Sequence, residues 1–250
     1  MNILLISPPT PATFWSFKHV LRFVSKRAAF PPLGLLTVAA TLPDDWHLKL
    51  VDMNVRRLTD RDLQWADYVM LSAMIVHKES IAGIVDRCHS FGKPVIAGGP
   101  LFTTGHEAFP DIDHLVLGEA EELMPQLVED MRCGTLRRMY AATRRPEITQ
   151  VPIPRWDLIN LRHYVTMSVQ YSRGCPFDCE FCDIVVMNGH VPRTKTPAQL
   201  VAELEQLRVR GWRDMVFIVD DNFIGNKKQA ILLLQELIRW RQRTGTRMGF

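Results

Sequence analysis

At 250 residues, 47% hydrophobic and 23% charged, the chain has room for more than one domain around a buried core, which excludes a disordered or low-complexity polypeptide. A net charge of +3 from 30 basic and 27 acidic residues gives no argument for nucleic acid as a partner, and the arginines near 137–145 and 239–247 read as solvated surface. No apolar run approaches the roughly 20 residues a membrane span needs and the opening residues lack the basic flank of an export signal, so no integral membrane segment and a cytoplasmic location are expected.

Residues 3–7 are an apolar strand stopped by Pro8-Pro9, and the polar and aromatic stretch through Arg27 reads as a long loop or an interrupted helix. Pro31-Pro32 introduces a buried helix from Leu33 to Leu42. Leu48 to Val51 is a second strand ending at Asp52, Thr59 to Trp65 a short helix or turn, and Tyr68 to Met74 a third strand. Ile81, Ile84, Val85, Cys88 and Phe91 then recur at helical spacing up to Gly92, which makes Cys88 a core residue rather than a ligand. Pro94 to Pro100 and His114 to Glu119 are two more short strands, the first running into a glycine turn. Leu123, Leu127, Val128 and Met131 mark a further helix closed by Gly134.

Short buried strands alternating with helices predict a parallel sheet covered on both faces, so residues 1–140 are expected to form a doubly wound α/β domain. Its ligand crevice lies at the carboxyl ends of the strands. The candidates there are Ser7 to Thr10, Asp52 to Asn54, Ser72, Ala73 and Met74, Gly98 to Pro100, and Gly118 with Glu119. Gly98-Gly99 allows close approach of a ligand to the backbone, and a tight strand exit needs the same glycines. Neither a dinucleotide fingerprint nor a phosphate-binding loop motif occurs.

Residues 141–163 lose the apolar period and contain Pro146, Pro152 and Pro154, which reads as an ordered linker pinned by Ile153 and Trp156. A second domain is expected over 164–250. Val165 to Gln170 is its first strand. Thr196 caps a helix carrying Leu200, Val201, Leu204 and Leu207, Met215 to Val219 is the next strand, and Asn226 caps the last helix. Arg247 to Phe250 looks like the start of a third strand. Two β/α units and a strand stub cannot close a barrel, so this part is expected to be the opening portion of a longer one.

Between the first strand and helix of this second part stands Arg173-Gly174-Cys175-Pro176-Phe177-Asp178-Cys179-Glu180-Phe181-Cys182, with three of the five cysteines. Uneven spacing makes a poor disulfide framework, whereas reduced thiolates suit a metal site. Three thiolates, Cys175, Cys179 and Cys182, can hold three irons of a [4Fe-4S] cluster and leave the fourth open. A structural zinc site would want a fourth ligand, for which His190 is the nearby histidine, and three unliganded cysteines are the remaining reading. Phe181 can shield a cluster from solvent.

The spacing Cys-x3-Cys-x2-Cys, with Phe181 before the last cysteine, resembles the cluster loop of the radical S-adenosylmethionine enzymes. The resemblance implies a partial (β/α)6 barrel beginning at residue 164, a cluster held by the three cysteines, and S-adenosyl-L-methionine chelated at the open iron. Cleavage of that cofactor would supply a 5'-deoxyadenosyl radical. The stretch Val219-Asp220-Asp221-Asn222-Phe223 falls where the family contacts the methionine amino group. The usual glycine-rich form is absent there, so Asp220, Asp221 and Asn222 are candidates as ammonium acceptors, against the alternative of an Asx-rich turn.

A doubly wound domain with Pro31-Pro32-Leu33-Gly34-Leu35, Gly98-Gly99-Pro100 and Gly118-Glu119-Ala120-Glu121 ahead of that loop resembles the cobalamin-binding members. That group includes hopanoid C-2 methylases and the cyclase forming the fifth ring of bacteriochlorophyll. The histidine motif that supplies a lower axial ligand in many cobalamin proteins is missing, since His19 and His77 lack its context. The resemblance implies methyl transfer to an unactivated carbon of a lipid or other small molecule, with cyclisation or oxidation without methyl transfer as the alternative. It also implies an electron donor such as flavodoxin or ferredoxin.

Overall fold

Ile3, Leu4, Leu5 and Ile6 are consecutive apolar side chains that a strand sends alternately to opposite faces, and all four are fully buried. A covered layer on each side of one sheet is therefore required. The computed structural model describes residues 1–13, 18–21 and 23–250, with the backbone alone at 18 and 19. In it these residues form β1 (Asn2–Ser7), an interior strand, second from one edge of a six-stranded sheet.

Chain order then runs through α1 (Lys18–Leu21), α2 (Leu33–Ala39), β2 (His47–Asp52), α3 (Asp60–Trp65), β3 (Tyr68–Ser72), α4 (Lys78–Ser90), β4 (Val95–Gly98), α5 (Pro100–Gly105), β5 (His114–Leu117), α6 (Met124–Cys133) and β6 (Met139–Ala141). The strand order β2-β1-β3-β4-β5-β6 is parallel throughout. One face of the sheet sends Leu4, Ile6, Val51, Val69, Leu71, Val95 and Ala97 into a core that includes the buried residues of α3, α4 and α5. Cys88 is fully buried in it, and burial pushes its thiol up to about 11, as expected of a packing residue. The other face sends Ile3, Leu5, Met70, Ile96 and Val116 against α2 and α6.

Two elements escape the sequence pattern. The glycine turn after β4 leads straight into α5, which has proline in its first turn and buries Leu101 and Phe102. The edge strand β6 buries Tyr140 alone, too little apolar signal to read as a strand; its hydroxyl donates to Asp130 at 2.7 Å. Along the connecting segment, Trp156 is fully buried as expected. Ile153 is exposed, however, and Ile148 and Val151 do the anchoring assigned to it.

The second part contains β7 (Met167–Val169), β8 (Ser172–Arg173), α7 (Ile184–Asn188), β9 (Arg193–Thr194), α8 (Pro197–Val209), β10 (Val216–Ile218) and α9 (Lys227–Thr244). β7 and β10 pair in parallel, as β/α units require. Thr196 forms the expected capping box with Gln199, and Asn226 caps α9. β8 and β9 form a small antiparallel ladder, Ser172 opposite Thr194 and Arg173 opposite Arg193, which closes the neck of the excursion carrying the cysteines. The final residues form no strand, correcting that expectation. They lie beside β10, where Val216 N–H donates to the Gly249 carbonyl at 2.9 Å and Met248 is fully buried.

Both parts share one core. Tyr164, Met167, Val169, Tyr171, Leu200, Leu204 and Leu233 belong to the same buried cluster as Ile3, Leu36 and Met70. Among the described residues no helix is long and apolar enough to cross a membrane.

Candidate functional site

The chain leaves β1 towards β2 on one side and reaches β3 on the other, so the crevice between their carboxyl ends is open by topology. A cavity of about 640 Å³ occupies it, and its walls come from both parts of the chain. Ser7, Ser72, Ala73, Met74, Gly99, Gly118 and Glu119 line it from the sheet, and Pro31 to Leu35 from the entry to α2. Gln170, Arg173, Asn188, Phe217, Val219 and Asp221 line it from the second part. A smaller pit of about 60 Å³, lined by Gly98, Gly99, Gly118 and residues of α2 and α6, lies at the same strand ends.

The two readings of Gly98-Gly99 separate here. Gly99 has φ 95°, and a Cβ on it would stand 2.8 Å from Ser72 Oγ and 3.1 Å from the Ala73 carbonyl. A Cβ on Gly98 would meet the Val116 carbonyl at 3.1 Å. Both glycines are thus demanded by close approach of the chain to itself, and Gly99 in addition faces the cavity.

At the ends of β1, β2 and β3 lies a polar cluster. Asp52 is buried and accepts from Asn54 N–H and Nδ2 at 2.9 Å each, and from the Tyr164 hydroxyl at 3.0 Å. Burial raises its pKa, with the Asn54 and Tyr164 bonds working against that. His77, buried and lining the cavity, accepts the Met74 N–H on Nδ1 at 3.2 Å, while Nε2 stands 3.4 Å from Thr10 Oγ1. Burial lowers its pKa and keeps the ring neutral; with Nδ1 accepting, the proton sits on Nε2. The side chain of His19 lies outside the described residues.

The cysteine excursion is positioned from beneath by the loop after β10. Asp220 accepts from Tyr171 N–H and Ser172 Oγ, each at 2.7 Å, and its pKa is raised by burial. Asp221 accepts from Gly174 N–H at 2.7 Å and Asn188 Nδ2 at 2.8 Å. Asn222 Nδ2 approaches Cys175 Sγ at 3.5 Å. Gly174 has φ 101°, and a Cβ there would lie 2.7 Å from the Val191 carbonyl and 3.0 Å from that of Gly189. Asp221 also lines the cavity, whereas Asp220 is turned to the backbone of its own part.

All three cysteines are free thiols; Cys179 is exposed and the other two half-buried. Among the described residues no three His, Cys, Asp or Glu side chains are already gathered as a metal cage. The donor set nonetheless fits an iron-sulfur cluster, whose inorganic sulfides complete the coordination of three thiolates on one short loop. It does not fit a four-ligand zinc site, because His190 is exposed and joins no such group among the described residues. Phe181, beside the cysteines, is 91% exposed.

Glu119 differs most from its expected role. Its Oε2 accepts from Arg173 at 2.7 Å and from Arg193 at 3.1 Å, and its Oε1 from Arg193. Arg173 also donates to Glu121 at 2.7 Å and to Gln170 at 2.8 Å. Nothing in the sequence pointed to these ion pairs, because each carboxylate partner lies more than 50 positions away.

Residues 23–128 match the family model described as the B12 binding domain. The chain is also 47% identical over 244 residues, 97% of its length, to an uncharacterized methyltransferase of Synechocystis sp., of which it covers 46%. The first part of the chain is thus similar to B12-binding domains, and nearly the whole chain to one half of a curated methyltransferase. It is also 39% identical to the hopanoid C-2 methylase of Rhodopseudomonas palustris, over 98% of this chain and 47% of that protein.

The likeness of fold extends to solved structures. OxsB, a cobalamin-dependent S-adenosylmethionine radical enzyme with aqua-cobalamin and S-adenosylmethionine bound, superposes with a TM-score of 0.73 at 16% identity, over 95% of this chain and 37% of that one. The methyltransferase TsrM of Kitasatospora setae superposes with a TM-score of 0.70 at 18% identity, over 98% of this chain and 52% of that one, in a structure holding cobalamin and a [4Fe-4S] cluster. The chain spans about half the length of the curated relatives it matches.

Proposed function

We propose that this chain is the cofactor-bearing portion of a cobalamin-dependent radical S-adenosylmethionine C-methyltransferase that acts on an unactivated carbon of a lipid or other small molecule. One observation carries the reading: a single cavity is walled on one side by the strand ends of a B12-binding-type sheet and on the other by the residues that hold a three-cysteine loop. The similarity to methylases over nearly the whole chain supports it.

In this reading residues 1–140 are the cobalamin-binding unit, 141–163 the linker and 164–250 the start of the barrel. Cys175, Cys179 and Cys182 hold the cluster. Ser72, Ala73, Gly99 and Gly118 form the cobalamin side of the cavity, with Gly98 in the adjoining pit, and Asp221 and Asn222 stand on the S-adenosylmethionine side. When bound, these groups supply radical formation and a transferable methyl group. The chain's own contribution is to hold both sides of the cavity at a set separation and to keep His77 as a neutral Nε2–H donor facing it. An external reductant such as flavodoxin or ferredoxin and a small-molecule substrate complete the reading.

Anaerobic reconstitution with iron, sulfide and hydroxocobalamin tests it. Close to four irons per chain and a retained corrin absorption spectrum are expected; zinc in place of iron, or no retained corrin, would reject it.

A further inference from the structure

In the β8–β9 ladder, Arg173 and Arg193 stand directly opposite one another. Like charges in that position repel and oppose pairing. The ladder nevertheless closes the neck of the cysteine excursion, so something must compensate. The compensating group comes from outside the excursion: the Glu119 carboxylate, in the loop after β5, takes one arginine on both oxygens and the other on Oε2.

All of these side chains are largely buried, Glu119 at 8% exposure and both arginines at 14%. Buried charges are costly to desolvate, and apolar side chains could join two packed units at lower cost. What the ionic arrangement adds is geometry. The Arg193 fork on both Glu119 oxygens, with the Arg173 fork spanning Glu119 and Glu121, defines a position and an orientation that a greasy contact does not. Arg173 is also the residue before Gly174 and Cys175, and its remaining nitrogens are held by Glu121 and Gln170. The loop that carries the first cysteine is thereby registered against the loop after β5.

We propose that Glu119 is a positioning residue: it is the counter-ion that lets the neck of the cysteine loop close, and it sets that loop against the strand ends across the cavity. The consequence for spacing between bound groups rests on the functional reading above; the closure of the neck does not. Glu119 consequently has both carboxylate oxygens engaged by arginines, in addition to its place at a strand end.

Hydrogen exchange of the 250-residue chain compares wild type with Glu119→Gln, which keeps the shape and removes the charge. The expected result is about tenfold faster exchange across residues 172–194 as well as in the loop after β5, with α4 unchanged. Arg144→Ala, which removes the exposed pair with Glu122, is the control and leaves 172–194 as in wild type. Faster exchange confined to the loop after β5 overturns the proposal. If Glu119→Gln fails to fold, Arg173→Lys, which keeps the charge and loses the fork, carries the same comparison.

On reconstituted protein, pulsed dipolar spectroscopy between cobalt(II) and the reduced cluster should give one narrow distance in wild type and a broadened one in Glu119→Gln. An unchanged distribution overturns the positioning role. A chain that takes up neither group refutes the functional reading instead, and the exchange comparison then decides the neck by itself.

Discussion

Asp221 accepts the backbone N–H of Gly174 at 2.7 Å, so the loop after β10 holds the residue that precedes the first cysteine. The same carboxylate accepts Asn188 Nδ2 at the far end of the excursion. One side chain thus ties down both ends of the segment that must present three thiolates together.

Replacing Asp221 by alanine leaves both donors unpaired, at about 1–3 kcal/mol for each one that water cannot reach. We expect Asp221→Ala to keep its circular dichroism spectrum and lose more than half its iron after reconstitution. Full iron content in the variant would show that the loop is held by other means.

Cys179→Ala should abolish the cluster absorption while the thermal midpoint stays within about 2 °C of the cluster-free wild type, since the exposed side chain contributes little packing. Cys88→Ala should do the reverse, retaining the cluster and lowering stability, because a fully buried side chain is lost from the core behind the sheet. Iron analysis beside a melting curve separates the two.

Gly99→Ala places a Cβ 2.8 Å from Ser72 Oγ at φ 95°, where an L side chain is strained. A cost of about 1–3 kcal/mol is expected from urea denaturation, together with weaker retention of cobalamin, because the loop that must move lines the cavity. Gly134→Ala supplies the comparison: φ is 67° there, but nothing lies within 4 Å of the added Cβ, so only the stability loss should appear.

The buried neutral His77 makes stability depend on pH. Burial holds its folded pKa below the ordinary imidazole value of 6.5, so the unfolded chain binds the extra proton first as pH falls. The stabilisation is present above about 6.5 and is lost as pH drops through that value towards the folded pKa; the nearby Asp52 carboxylate reduces the effect by favouring the charged ring. The urea midpoint should therefore fall between pH 7.5 and 5.5, and His77→Gln should flatten that slope. An unaltered slope in the variant would assign the dependence elsewhere, with His163, also shifted down by burial, the next to examine.

Local rules made most of the architecture readable. Ile3 to Ile6 had to be a strand covered on both faces, Thr196 and Gln199 had to open a helix, and Gly134 had to close one in a left-handed conformation. Three cysteines within eight residues suggested a cluster loop by their spacing alone. What stayed hidden was weak in local signal. β6 buries one side chain, and the two-residue strands β8 and β9 bury little.

The candidate site divides along the same line. Which residue types are present, and which loops they occupy at strand ends, follows from the order of apolar segments along the chain. Which side chains are free to meet a ligand does not. Glu119 looked available and is paired with Arg173 and Arg193, while Asp221, read as an ammonium acceptor or else a turn residue, holds the start of the cysteine loop. Those assignments depend on partners 47 to 74 positions apart, brought together only when the second part packs on the ends of the first sheet. Sequence periodicity reports the burial of each segment; the pairing of charges between segments is decided by the tertiary fold.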